Sequence, residues 1–225
     1  MDLTYKKDKL PALSGLAKQI QQTRPGDRYL AGVWGTTLLG DLLWETRGNV
    51  ADRPQQWRAP TWSWVSVDSS IGYHLDTPFG AIEILQAICT PVNDPTGEVI
   101  SASLKLRTVL FTGFLRYESD KTATGEERYT LDIDGFEGRG FAQDYKLSTP
   151  GKYHVESDSE VCLMVAGHVV GSRGSREFLG LVLRRVGQME DFDSYERIAS
   201  MDFFEWPSEV EKKIERSETQ TIIFL

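Results

Sequence analysis

Ala59-Pro60-Thr61-Trp62-Ser63-Trp64-Val65-Ser66-Val67-Asp68 is the stretch from which the rest of the chain is read. Trp62, Trp64 and Ser66 fall on one parity, and Thr61, Ser63, Val65 and Val67 on the other. Period-two alternation rich in aromatic and β-branched residues predicts a β-strand. Pro60 stands at its start, where a missing N–H costs least. Two indoles one residue apart bring a large apolar area to one face. Upstream the pattern is helical; downstream it is almost all strand.

Leu10, Leu13, Leu16, Ala17 and Ile20 recur at helical spacing and predict an amphipathic helix from Lys9 to Gln22, closed by Pro25-Gly26. Thr36 or Thr37 caps a second helix with Leu38, Leu39, Leu42 and Leu43 as its buried stripe and Gly48-Asn49 as its stop. Arg53 to Arg58 is a polar connector. Beyond Trp64, strand signals recur: 71–75, 81–92 (apolar enough for burial on both faces), 102–108, 109–117, 129–134, 161–166, 178–183, 195–204 and 219–225. Residues 136–150 read as irregular, and 209–216 as a short charged helix. The expectation is a mainly β (α+β) fold. It has one domain over 1–225: a helical part over 1–58, then an antiparallel β-barrel or sandwich of about 8–10 strands over 59–225, with the two N-terminal helices packed on it.

The 225 residues carry a net charge of −8, with six Trp, eight Tyr and ten Phe. A uniformly acidic surface repels phosphate backbones, so nucleic acid is not an expected partner. No apolar run is long enough for a membrane span, and the polar N-terminus lacks a signal-peptide apolar region. The chain reads as soluble and cytoplasmic. Cys89 and Cys162 each sit in an apolar run and read as small core residues.

Catalytic signatures are absent from the sequence. His74, His154 and His168 are scattered, with no zinc-ligand spacing. Gly138-Arg139-Gly140 lacks the third glycine of a dinucleotide loop and lies among strands. Neither a phosphate loop nor a Gly-x-Ser-x-Gly elbow occurs. No metal or other cofactor is expected. Glu83 and Asp68 border apolar strands, where each is either a tuned acid or a strand-edge carboxylate bonded to backbone or to an arginine; the second is the commoner fate. Trp44 reads as core. Trp34, Trp62 and Trp64 read either as core or as the lining of an apolar pocket, with Tyr73 and His74 as hydrogen-bond donors beside it.

Four ordered segments carry a resemblance: Leu10-Pro11-Ala12-Leu13-Ser14-Gly15-Leu16-Ala17, Asp27-Arg28-Tyr29-Leu30-Ala31-Gly32-Val33-Trp34, Asp41-Leu42-Leu43-Trp44 and Arg58-Ala59-Pro60-Thr61-Trp62-Ser63-Trp64-Val65-Ser66-Val67. With the later 178–186 and Tyr195-Glu196-Arg197-Ile198-Ala199, the chain resembles the region downstream of the HET domain in fungal heterokaryon incompatibility proteins. Met1 falls just before the first segment, so the resemblance implies either a fragment or a module standing without its HET effector domain. Two functions are then expected. One is a cofactor-free cyclase of fungal secondary metabolism, of the pericyclic, Diels–Alder type, which folds an apolar small-molecule substrate against Trp34, Trp62 and Trp64 while Tyr73 and His74 polarise it. The other is a non-catalytic interaction or regulatory module of the incompatibility system, with a protein partner. The first requires a cavity at the indoles; the second requires an exposed apolar surface.

Overall fold

The computed structural model describes residues 6–73, 77–78, 81–119, 127–133, 138–170, 176–204 and 207–225. The first part holds α1 (Lys9–Gln22), β1 (Tyr29–Leu30), β2 (Val33–Trp34), α2 (Leu38–Asp41), β3 (Trp44–Arg47) and β4 (Ser70–Tyr73). Then come β5 (Thr77–Pro78), β6 (Glu83–Pro91), β7 (Val99–Thr108), β8 (Phe111–Ser119), β9 (Glu127–Asp132) and β10 (Gly138–Gln143). The chain closes with β11 (Ser159–Val170), β12 (Arg176–Met189), β13 (Phe192–Phe204), α3 (Pro207–Arg216) and β14 (Gln220–Phe224).

The mainly β expectation is met, but the barrel is not. One ten-stranded sheet runs β6-β7-β14-β13-β12-β11-β8-β9, with β10 added on β13 and β5 on β11. Among the described residues no pairing joins β6 to β9, so the sheet stays open. Nor do two separate large sheets stack as a sandwich. Instead the long strands fork: one edge of β13 holds β14 through Ser194 and Tyr195, then β10 through residues 199–203. All pairs in this sheet are antiparallel except β13–β14. A parallel pair needs a long connection, and α3 provides it.

The central strands are covered on both faces, which explains why 161–166 and 178–183 read as near-continuous apolar runs. On one face Leu30, Val33, Leu38, Leu42, Trp62 and Val65 pack against Leu104, Leu106, Leu181 and Phe224. On the other, Leu131, Leu147, Val161, Leu163, Phe178 and Val210 form a second core.

Four local expectations are corrected. Thr61–Ser63 is a turn and Trp64–Ser66 a single 3-10 turn, so the alternating stretch is not a strand. Its backbone is satisfied without a ladder: Ser63 N–H donates to Pro60 O, Ser66 N–H to Ser63 O, the Ser63 hydroxyl accepts from Val65 N–H, and Thr61 N–H donates to Leu225 O. The second helix is one turn, because Trp44 leaves it to pair opposite Tyr73. Strand β6 is wet on one face, with Leu85 and Ile88 exposed, since it is the sheet's edge. The segment read as irregular contains β10.

Candidate functional site

Trp34 and Tyr73, two of the residues first singled out, share neighbours: Asp41 accepts from Trp34 N–H and, with Tyr29, acts on the Tyr73 hydroxyl. Trp62 is fully buried, its carbonyl accepting from Trp44 Nε1 at 2.9 Å, while its own buried Nε1 has no partner among the described residues. Trp64, half-buried, donates Nε1–H to Gly32 O at 2.9 Å. Trp34 packs edge-on to Tyr29 at 5.1 Å, with the Arg24 guanidinium 5.2 Å from its ring. Tyr73 lies on β4, and burial pushes its hydroxyl up to about 12, with Asp41 adding to the rise. It therefore keeps its proton at neutral pH. His74 lies outside the described residues. The two carboxylates both meet arginines: Asp68 lies 2.6 Å from Arg58, and Glu83 2.8 Å from Arg107.

Arg197 helps tie the helical part to the sheet; sequence reasoning missed it, although a charge inside an apolar strand pattern marks it. The guanidinium is buried 3.7 Å over the Trp44 ring and donates to Leu42 O (2.9 Å), Trp44 O (2.5 Å) and Asp144 Oδ1 (3.2 Å). Nε and Asp144 Oδ2 touch at 2.9 Å without hydrogen-bond alignment, so this contact is purely ionic. Burial pushes the Asp144 carboxyl up to about 6, against the pull of Arg197. A β-bulge makes this placement possible. Val182 faces Ala199 and Leu183 faces Arg197, so Ile198 is the extra residue. Tyr195 thus serves the first core, and Ile198, Ala199 and Met201 the second.

Two concave surfaces lie around the connector that carries Trp57. A pocket of about 360 Å³ is lined by ten residues, among them Trp57, Ile88, Ile100, Ser101, Ser103 and Met189. Register explains its composition. Ile88 faces Ser103 and Thr90 faces Ser101, while Cys89 and Ala102 turn to the first core. Ile100 would follow Ala102, Leu104 and Leu106 inward, but a register shift between Thr90 and Pro91 makes it the extra residue of a bulge, and it points outward, 60 % exposed. A second pocket of about 430 Å³ shares Trp57 as a wall and is more polar, with Lys7, Arg58, Asp68 and Glu98 in its lining. Trp34, Trp62 and Trp64 line neither pocket.

Glu196 borders the apolar pocket but is fully engaged. Arg53 grips it with two bonds, 2.8 and 3.1 Å, and Arg184 adds a third at 3.0 Å. Burial opposes its charge, yet the two guanidiniums win and hold its carboxyl below the ordinary range. Arg53 in turn stacks on Tyr153 at 4.2 Å. Among the described residues no group of three or more His, Cys, Asp or Glu is placed to hold a metal ion. No described helix is long and apolar enough to cross a membrane. No family model, curated protein or solved structure matches the chain.

Proposed function

We propose that the chain is a non-catalytic binding module of the heterokaryon-incompatibility type, working through the apolar pocket beside Trp57. The observation that carries this reading is convergence. Trp57, Ile88, Ile100 and Met189 are 46, 40, 60 and 43 % exposed, and all four line one concavity. Large exposed apolar side chains gathered in one place mark a binding surface.

The segments that resemble the incompatibility proteins support the non-catalytic half of the proposal. Several of their polar groups are used up in construction. Arg58 donates to Val65 O and Val67 O, Ser63 Oγ–H to Ala31 O, and Trp64 to Gly32 O. Asp41 accepts from Trp34 N–H and from the Thr37 hydroxyl. Donors committed to main-chain carbonyls are not free to polarise a substrate.

A test uses a fungal extract. The intact chain and a Trp57→Ala/Ile100→Glu double variant are incubated in it, recovered and stripped. The wild type is expected to retain a protein or small molecule that the variant loses. Identical retained sets would overturn the proposal. The cyclase reading keeps one observation in its favour, the Ser101 and Ser103 hydroxyls on the wall of a pocket of small-molecule size. Acceleration of a polyene cyclisation by the purified chain, lost in the same variant, would establish it instead.

A further inference from the structure

We infer that the occupant of the pocket beside Trp57 is an uncharged, largely hydrocarbon small molecule, rather than a protein surface. The inference rests on the binding-module reading and deepens it. Size comes first. Ten residues line the pocket, against roughly 20–30 on each side of a stable protein interface. Its volume of about 360 Å³ falls within the range of small-molecule sites, roughly 300–1,000 Å³.

Charge comes second. Among the described residues Glu196 is the one ionisable side chain in the lining, and Arg53 and Arg184 occupy its carboxylate. A cationic ligand would have to compete with two guanidiniums already in place. An anionic ligand finds no lining cation among the described residues and meets a chain of net charge −8. What remains unspent is apolar area from Trp57, Ile88, Ile100 and Met189, together with the hydroxyls of Ser101 and Ser103 on the β7 wall. Met189, unbranched and polarisable, adapts to irregular hydrocarbon shapes. Apolar contact with one or two hydroxyls to orient the ligand is the usual make-up of such a site.

The test is a titration of the intact chain with farnesol, a neutral isoprenoid alcohol, followed by calorimetry and by indole fluorescence. Farnesyl diphosphate is the charged counter-probe. Saturable farnesol binding in the micromolar range is expected, at least ten-fold weaker in Ile100→Glu and in Met189→Glu, and at least ten-fold weaker for the diphosphate. Both variants alter exposed side chains, so near-wild-type circular dichroism is expected and makes the comparison fair. Absence of saturable binding would overturn the inference. So would equal binding by wild type and both variants, or tighter binding of the diphosphate. Sedimentation at rising concentration supplies a further arm: self-association abolished by Ile100→Glu would assign the pocket to a second copy of the chain. In that case the small-molecule inference fails while the binding-module proposal stands. The extract experiment separates the two in the same way, since a retained protein supports the module and removes the small molecule.

Discussion

Arg197 is where single-residue chemistry matters most. One guanidinium neutralises a buried carboxylate, accepts an indole face and closes two carbonyls of the segment leaving α2. Arg197→Ala orphans all of them, and the unpaired Asp144 must then protonate. Loss of about 3–5 kcal/mol is expected in denaturant unfolding. Arg197→Lys recovers only part of it, because an ammonium cannot reproduce the planar fork. Asp144 also sets a pH dependence. Its folded-state pKa of about 6 lies above the 3.8 of an ordinary Asp, so the folded chain holds this proton more tightly. The associated stability is fully present below pH 3.8 and disappears as pH rises through 6. Asp144→Asn should flatten the stability profile across that window relative to wild type. At the β1–β2 turn, Ala31 and Gly32 have φ of 50° and 104°, and a Cβ on Gly32 would lie 2.7 Å from Val65 Cγ2. Gly32→Ala is expected to cost about 1–3 kcal/mol through strain and displacement of the Trp62–Val65 turn, readable as a lowered Tm.

At the scale of strands, three bulges each turn an apolar residue to water. Leu85, Ile100 and Val186 are all exposed, and all three are extra residues at register shifts. A strand that alternates perfectly would have sent Ile100 into the first core beside Ala102 and Leu104. The pocket thus owes its most exposed apolar wall to a single inserted residue. Ile100→Glu should change folding stability by no more than about 0.5 kcal/mol. Leu104→Ala, four residues along the same strand and fully buried, should cost about 2–5 kcal/mol. A large loss from Ile100→Glu in thermal unfolding would mean that the bulge is not where the register places it. The β13–α3–β14 crossover is the other decision at this scale, since it inserts the last strand between β13 and β7.

Over the whole molecule, two apolar cores lie on opposite faces of the shared strands β11 to β13. Neither face can lose its cover without exposing the same backbone. Leu104→Ala in the first core and Phe178→Ala in the second should therefore lower one common transition, coincident by indole fluorescence and by circular dichroism. Two separate transitions would show that the faces melt independently.

Much of this architecture is visible in local pattern. The amphipathic Lys9–Gln22 helix, the alternating 102–108 strand, the apolar hairpin strands β11 and β12 and the charged α3 all form where periodicity puts them, because each buries a face whatever its partner is. The Trp62–Val67 stretch shows the limit. Its alternation is real, but turn hydrogen bonds from Ser63 and contacts to Leu225 and Gly32 satisfy it without a ladder. Trp57 carried a readable signal, a lone indole in a polar connector, yet its neighbours Ile88, Ile100 and Met189 come from three different strands. Burial, side-chain period and turn chemistry depend on residues a few positions apart, so one chain of letters is enough to establish them. Pairing order, bulge position and the meeting of those four side chains depend on contacts tens of residues apart. Only the folded chain settles these, because the free energy of a long-range pair is set by every other pair formed with it.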